Sequence, residues 1–147
     1  MDSGVAGMTS VEIIVFKPQH LDDVRALWEF TEGIGVRDNE TDERILVFLE
    51  RNPGMSFVAI SGSKLIGSVL CGHDGRRGYF HHLAVNPDYR RYGIAELMFD
   101  ASMAALAADD IVRINVVAFS DNELARGFWT GVDCVERNDL SVYSRDV

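Results

Sequence analysis

The sequence predicts an α/β fold in which helices cover one β-sheet. The sheet is expected to be mixed, as in α+β proteins, with both parallel and antiparallel strands. Three observations lead to this prediction: strand and helix patterns alternate along the chain, three consecutive strand patterns lie in the middle, and helix patterns stand on both sides of them. The 147 residues have the length of one common domain. We therefore expect a single domain over residues 1–147, of which residues 1–10 form a flexible start.

The composition narrows the class of protein. Apolar residues make up 47% and charged residues 25%, which is typical of a globular chain. The 14 basic and 23 acidic residues give a net charge of −9, which argues against nucleic acid as a partner because phosphate binding needs clustered Lys and Arg. No apolar run approaches the length of a membrane span, so no membrane partner is expected. Cys71 and Cys134 have no paired spacing, so we expect no disulfide, no metal site and a cytoplasmic location.

Two helices are predicted after a first strand at Val11–Phe16. The apolar residues that recur at helical spacing in the first helix are Leu21, Val24, Leu27 and Trp28. This helix is expected to stop near Gly33 and Gly35. The second helix is expected to begin near Thr41 and to end at residues 52–54, where Asn-Pro-Gly interrupts it.

Three strands of a meander are predicted next. Ser56–Ile60 and Leu65–Cys71 are rich in β-branched and apolar residues, and the Ser-Gly-Ser sequence at 61–63 is typical of a hairpin turn. A polar loop leads to the third strand, Tyr79–Val85, which Asn-Pro-Asp at 86–88 ends. These strands are expected to form the centre of the sheet.

A long helix over Gly93–Ala108 and a strand over Ile111–Val117 are predicted after the meander. The residues expected to form the core-facing stripe of this helix are Ile94, Leu97, Met98, Ala101 and Ala105. The strand is compact and β-branched, which favours burial between two neighbouring strands.

The last part of the chain predicts one short helix and a final hairpin. Ser120 and Glu123 have the spacing of a capping box, so the helix is expected to begin there and to end near Gly131. Cys134–Val135 and Leu140–Tyr143 are expected to form the hairpin or a bent strand.

The segment with the clearest chemistry lies between the third strand of the meander and the long helix. Gly93 and Ala95 are small, so a ligand can approach the backbone of the helix start closely. A helix N-terminus presents free N–H groups and the positive end of its dipole, and Arg90 and Arg91 add positive charge. This combination predicts a site for an anion such as a pyrophosphate, whereas the structural alternative is tight packing at a helix start.

At this segment the sequence resembles the GNAT superfamily of N-acetyltransferases. Residues 90–95, Arg-Arg-Tyr-Gly-Ile-Ala, match the acetyl-CoA-binding pattern Q/R-x-x-G-x-G/A of that family. Asn122, Ala125 and Phe128 match its N-x-x-A-x-x-F stretch, and the order of elements agrees over nearly the whole chain. The motif is specific, whereas residues 19–52 match by pattern only.

The resemblance implies a fold and a cofactor site. The mixed sheet would be split between the strands at Tyr79–Val85 and Ile111–Val117, and acetyl-CoA would lie in the V-shaped opening as the acetyl donor. The pantetheine arm would pair with the first of these strands like an added strand, and the amides at residues 91–95 would hold the pyrophosphate. The cofactor-binding residues expected on this basis are Leu83, Ala84, Val85, Arg90, Arg91, Tyr92, Gly93, Ile94, Ala95 and Asn122.

The resemblance also implies the reaction. A primary amine, either of a small molecule or of a peptide or protein, would attack the thioester directly, and the backbone amide of Val85 or Leu83 would polarise its carbonyl. The alternative is a GNAT-like module that binds acyl-CoA with little or no turnover. Homodimers are common in the family, so a homodimer is one expected assembly.

Two histidines are the candidate catalytic bases, because a protonated amine must lose a proton before it can attack. Period-2 alternation sends His81 and His82 to opposite faces of their strand. His81 is in register with a histidine base of some family members and is therefore preferred. Glu29 and Glu32, late in the first helix, are alternatives whose structural interpretation is a solvated surface.

The sequence departs from the family near its C-terminal end. Trp129 stands where many members carry a Tyr that protonates the leaving thiolate, and indole has no useful acidity. Asp133 replaces the family Gly and Cys134 the following aromatic residue. Tyr143 or Tyr92 could take the role of the acid. Trp129 and Asp133 are the features that favour the binding-module alternative.

The charges are unevenly distributed along the chain. Residues 19–50 hold nine acidic and three basic residues, a net charge of −6, and the family fold places this region on the acceptor side. Residues 73–95 have a net charge of +2. This asymmetry favours a cationic amine as the acceptor, and the alternative is that the acids only solubilise two surface helices. The loop 33–40 is expected to shape the acceptor site.

Overall fold

The computed structural model of the chain describes residues 10–31, 34 and 40–147. It divides into two compact units, one extending to Val117 and one comprising Ala118–Val147. The single domain expected over residues 1–147 stays a prediction. The expected flexible start lies outside the described residues except for residue 10, and so does the expected helix stop at Gly33 and Gly35.

A mixed sheet forms the centre of the first unit. Its strands are β1 (Val11–Val15), β2 (Phe57–Ser61), β3 (Lys64–His73), β4 (Gly78–Val85) and β5 (Ile114–Val116). They lie in the order β1-β2-β3-β4-β5; the first four are antiparallel neighbours, and β5 runs parallel to β4. The predicted meander is therefore confirmed, and each of its strands differs from its predicted limits by one to two residues.

Helices α1 and α2 cover one face of this sheet. Helix α1 comprises Leu21–Phe30 and α2 comprises Asp42–Arg51. The four residues predicted to form the inner face of α1 are all buried. The Thr41 hydroxyl accepts a hydrogen bond from the Arg44 amide, which confirms the predicted start of α2. The buried residues of this face are Phe16, Leu21, Val24, Leu27, Trp28, Ile45, Leu49, Val58, Leu70 and Ala84.

Helix α3 (Ile94–Ala108) covers the opposite face. The ring of Phe99 lies 5.2 Å from that of Phe80 in β4, and a Cβ built on Gly67 of β3 would lie 2.9 Å from Cε of Met98. The Ser102 hydroxyl donates a hydrogen bond of 2.7 Å to the carbonyl of Met55. The helix therefore packs directly on the backbone of the sheet, and the small residue at position 67 permits this approach.

The predicted core stripe of α3 is partly wrong. The buried residues of the helix are Ile94, Met98, Phe99, Ser102 and Leu106, whereas Leu97 is half exposed and Ala101 and Ala105 are only partly buried. The helix is apolar or alanine-rich on most of its circumference, so its periodicity does not single out one face. The shape of the sheet surface selects the face that is buried.

Two strand predictions near the end of the chain are also wrong. The strand predicted over Ile111–Val117 has only the three residues of β5, and among the described strands it lies at the edge of the sheet instead of between neighbours. Residues 132–147, where the final hairpin was predicted, contain no strand. A β-prone sequence becomes a strand only where another strand offers its backbone groups, and the sequence pattern carries no information on that partner.

The second unit contains α4 (Glu123–Gly131), which ends where predicted. Its N-cap is Asn122, whose side-chain oxygen accepts a hydrogen bond of 3.0 Å from the Ala125 amide. The predicted capping box from Ser120 is therefore wrong. Asn caps a helix as well as Ser does, and Asn122 lies directly before the first helical residue.

A buried hydrogen bond joins α1 to the sheet. Trp28 Nε1 donates to Ser68 Oγ over 3.0 Å, and both residues are buried. We expect Trp28→Phe to lower the free energy of unfolding by about 1–3 kcal/mol, because the Ser68 hydroxyl then loses its partner in an apolar environment. Urea denaturation measures this. The double variant Trp28→Phe/Ser68→Ala should regain part of the loss, and a double variant no more stable than the single one contradicts the assignment.

The stability of the first unit is expected to fall in mild acid because of His20. Nδ1 of His20 accepts a hydrogen bond of 2.9 Å from the Lys17 amide, which requires the neutral ring. Burial and then the Lys17 charge lower the pKa of His20 below its ordinary value, while Asp23 opposes them. Because the folded state disfavours protonation of His20, the stabilising contribution of its neutral ring is complete above about pH 6.5. This contribution is lost as the pH falls below that value.

The measurement is the free energy of unfolding between pH 7.5 and 5. The variant His20→Asn keeps an acceptor but does not titrate, so its stability should depend less on pH over this range than that of the wild type. Equal pH dependence in the two proteins would rule out His20 as the source.

Candidate functional site

A β-bulge interrupts β4 at the two candidate histidines. Ala84 pairs with Ser68 of β3 and His81 pairs with Leu70, so two residues of β4 stand opposite one residue of β3. His82, the first of these two, has a φ of +50°, in the left-handed region that non-glycine residues seldom adopt. The simple alternation predicted for this strand is therefore wrong from His82 onward.

The bulge brings both histidine rings to the same face of the sheet. The ring of His81 lies edge-on to Phe48 of α2, with 5.8 Å between the centroids, and the ring of His82 lies 4.8 Å from that of Trp28 of α1. The prediction that they point to opposite faces is wrong, because the extra residue reverses the alternation between them. The side covered by α1 and α2 thus receives two imidazoles.

His82 has a carboxylate partner that the sequence did not identify. Its Nε2 lies 2.8 Å from Oε2 and 3.1 Å from Oε1 of Glu40, and its side chain is only 12% exposed. The backbone carbonyl of Glu40 accepts a hydrogen bond of 2.6 Å from Arg25 Nη2, and Arg25 also pairs with Asp42. Glu40 stands 42 residues before His82, so no local spacing in the sequence connects them.

His81 has a different environment. It is exposed at one side while Phe48 covers the other. The partial burial of its ring and then the nearby His82 lower the pKa of His81 below its ordinary value, and Glu40 opposes this shift. The ring is therefore held in its neutral form near neutral pH, the form that accepts a proton.

The predicted split in the sheet lies beside these histidines. β4 pairs with β5 only over Gly78–Phe80, and no described strand of the first unit pairs with the remainder of β4 on that side. The Asn86 amide donates to the Ile66 carbonyl of β3 over 2.8 Å. Since successive backbone groups of a strand point to alternate sides, the N–H and C=O of Val85 point into the split. The strand end thus offers hydrogen-bonding groups to an extended ligand.

The start of α3 lies at the segment 90–95, where the sequence predicts an anion site. Arg91 and Gly93 have φ values of +71° and +75°, and the helix begins after Gly93 without a side-chain cap. The first amides of the helix therefore have no acceptor within it. A Cβ on Gly93 would meet nothing within 4 Å, so the space in front of these amides is open.

The other residues of this segment surround that start. Arg90 is half-buried, Arg91 and Tyr92 are exposed, and Ile94 is buried beneath them. Neither guanidinium has an ion-pair partner among the described residues. The cradle of amides, the open space and the two cations fit a pyrophosphate, and the assignment of these residues to a cofactor stays a prediction.

The structure describes only some of the remaining candidate residues. Glu29 is exposed on α1, while Glu32 and most of the loop 33–40 lie outside the described residues. In the second unit, the rings of Trp129 and Phe128 meet edge to face at 4.9 Å. Asp133 has a φ of +71°, the conformation that the glycine of the family adopts most easily. The described residues contain no group of three or more side chains that could hold a metal ion.

Comparison with known proteins identifies the family. The sequence model of the Acetyltransferase (GNAT) family matches residues 21–131. The chain belongs to this family. An acetyltransferase of Sodalis glossinidius is 32% identical over 113 residues, which are 77% of this chain and 79% of that protein. An uncharacterized N-acetyltransferase of Yersinia pestis is 29% identical over 135 residues, 92% of this chain and 95% of that protein.

Solved structures share the GNAT fold. The aminoglycoside N-acetyltransferase AAC(6')-Iy in complex with CoA aligns with a TM-score of 0.73 and 15% identity over 95% of this chain and 97% of its own. An acetyltransferase from Streptococcus agalactiae aligns with a TM-score of 0.74 and 16% identity over 93% of this chain and 92% of its own. The predicted fold class is confirmed, and so is the predicted enzyme class, an N-acetyltransferase of the acyltransferase type. Among the described helices of this GNAT protein, none has the length and apolar character to span a membrane.

Proposed function

We propose that this GNAT protein transfers the acetyl group of acetyl-CoA to a primary amine of a small molecule, a peptide or a protein. The observation that carries the proposal is the uncapped start of α3 beside the split between β4 and β5. A relative in fold, AAC(6')-Iy, has been solved with CoA and with a bisubstrate analogue of CoA and acetylneamine. These complexes support the choice of donor and of an amine acceptor.

The residues of the first unit fit such a donor. The amides at residues 91–95 would hold the pyrophosphate, with Arg90 and Arg91 at its flanks. Backbone groups of Leu83, Ala84 and Val85 would bind the extended arm in the way a neighbouring strand does. Asn122 belongs to the second unit, and its part in the site stays a prediction.

The chain supplies three elements of the chemistry. When bound, acetyl-CoA supplies a thioester whose carbonyl carbon is open to direct attack by an amine. The Val85 amide, which points into the split, would donate to the oxygen on which negative charge develops. An imidazole of β4, His81 or His82, would accept the proton of the amine. The positive N-terminal end of the α3 dipole would stabilise the negative charge of the leaving CoA thiolate.

The cysteines support direct transfer without a covalent enzyme intermediate. Burial raises the pKa of the Cys71 thiol to about 12, and burial and then Asp133 raise that of Cys134. Neither residue is therefore a thiolate at neutral pH. Both are free thiols, which is compatible with the cytoplasmic location that we propose.

A cationic acceptor is the substrate class that the charges favour. Exposed acids on α1, Asp22, Asp23 and Glu29, face solvent in the region that the family fold assigns to the acceptor. Glu40 and Asp42 are already paired with His82 and Arg25, which reduces the charge available for steering. The proposal therefore rests on fewer acids than the sequence count indicates. A homodimer stays a prediction.

The second candidate function is binding of acyl-CoA without turnover, which Trp129 favours because indole cannot protonate a leaving thiolate.

Thiol release from acetyl-CoA across a panel of neutral and cationic amines separates the two candidate functions. We expect release that depends on the amine, with higher kcat/KM for cationic amines at low salt than at high salt. Tight CoA binding without release from any amine would favour the binding module instead.

The variant Gly93→Glu tests the anion site. We expect CoA affinity to fall by about tenfold or more, because the new carboxylate stands in the open space before the amides and repels phosphate. Gly54→Glu is the matched control, since Gly54 also has a φ of +75° and open space around it but lies toward the other end of the sheet. Calorimetric titration with CoA measures both. Equal affinities in the two variants would overturn the assignment.

A further inference from the structure

We infer that Glu40 is a positioning residue that holds His82 as the proton acceptor for the amine. The inference rests on the proposed function and deepens it by selecting one histidine and adding the carboxylate that orients it. The observations that carry it are the paired contacts between Glu40 and Nε2 of His82, the ring of Trp28 beneath the imidazole, and the bulge that places His82 on this face.

The imidazole of His82 is fixed from three directions. Its Nε2 lies 2.8 and 3.1 Å from the two oxygens of Glu40. The ring is tilted by 57° to the indole of Trp28 with 4.8 Å between the centroids, and that indole donates a hydrogen bond of 3.0 Å to Ser68. The backbone at φ +50° sets the direction in which the side chain leaves the strand. The ring is thus held before any ligand binds, which lowers the cost of ordering it.

Glu40 is fixed in turn by α1. Its carbonyl accepts from Arg25, and Arg25 also pairs with Asp42, the first residue of α2. The guanidinium of Arg25 lies 6.0 Å from the centre of the Trp28 ring, so the same arginine contacts both supports of His82. Thus the carboxylate belongs to a connected set of contacts and is not a freely moving surface acid.

The pairing determines which nitrogen can accept the proton. A carboxylate only accepts hydrogen bonds, so the neutral ring carries its hydrogen on Nε2 and keeps the lone pair on Nδ1. No described residue binds Nδ1 of His82. An N–H bond of the protonated amine breaks with its electron pair left on the amine nitrogen, and a new N–H bond forms at Nδ1. The resulting imidazolium is stabilised by Glu40, as in other His–carboxylate pairs.

His81 lacks these supports. Its ring touches Phe48 and no carboxylate binds either of its nitrogens among the described residues. It is neutral near pH 7, and no described residue hydrogen-bonds to its ring to select a tautomer. Among the described residues, the charged and titratable groups near His82 are Glu40 from the segment before α2 and His81 from the same strand, and Arg25 of α1 binds the Glu40 carbonyl.

The test compares Glu40→Gln with Glu43→Gln, a matched loss of one exposed acid from the first turn of α2. We expect Glu40→Gln to lower kcat by about 10–100-fold with KM for acetyl-CoA unchanged. Glu40→Asp should recover part of the rate. A kcat for Glu40→Gln equal to that of Glu43→Gln overturns the inference.

The double variant Glu40→Gln/His82→Gln shows whether Glu40 acts through His82. His82→Gln alone should lower kcat by about 10²-fold or more, and adding Glu40→Gln should then have little further effect. Independent, multiplicative losses overturn the positioning role. A larger loss of kcat in His81→Gln than in His82→Gln overturns the choice of histidine.

A measurement without substrate keeps this inference separate from the proposed function. In the free protein, the ring nitrogen resonances of His82 should show the hydrogen on Nε2 in the wild type and in Glu43→Gln, and a mixture of the two tautomers in Glu40→Ala. If wild-type protein releases no thiol with any amine, the proposed function fails, and the catalytic role of His82 fails with it. The ring resonances then still decide the pairing: loss of the single tautomer in Glu40→Ala supports it, and an unchanged tautomer overturns it.

Discussion

The site depends on one extra residue in β4. Without the bulge, strict alternation would carry His82 to the face covered by α3 and leave one imidazole on the side of α1 and α2. With it, both imidazoles reach the same side, while Ala84 is buried in the core beneath α1 and α2. The positive φ at His82 is a local cost that the surrounding contacts offset. A distortion of the backbone thus determines which side chains can act together.

Trp28 connects this distortion to the core. Its indole donates to Ser68 on β3 and lies against the imidazole of His82, so one buried side chain sets the distance between α1 and two strands. Arg25, one turn earlier on α1, binds the carbonyl of Glu40. The candidate site is therefore built on packed elements, and a change in the core beneath it would be transmitted to the imidazole through rigid contacts.

The proposed donor side and the proposed acceptor side of the site differ in their charged groups. At the start of α3, uncapped amides and two arginines stand beside open space, an arrangement suited to an anion. On the side of α1 and α2 the excess of acids is partly consumed by internal pairs, above all Glu40 with His82. The acidic residues behind the net charge of −9 thus have two roles: some form pairs that organise the site, and others remain exposed to solvent.

The sequence by itself determined the order of the elements from β1 to α4, the inner face of α1, the limits of α2 and the start of α3 after its small residues. These features depend on periodicity, caps and small residues within a few positions of one another, which a single chain displays directly. Only the tertiary structure decided the bulge at His82, the pairing of His82 with Glu40, the buried face of α3 and the absence of the final hairpin from residues 132–147. Each of these depends on backbone or side-chain groups that are distant in sequence and meet only when the sheet has formed.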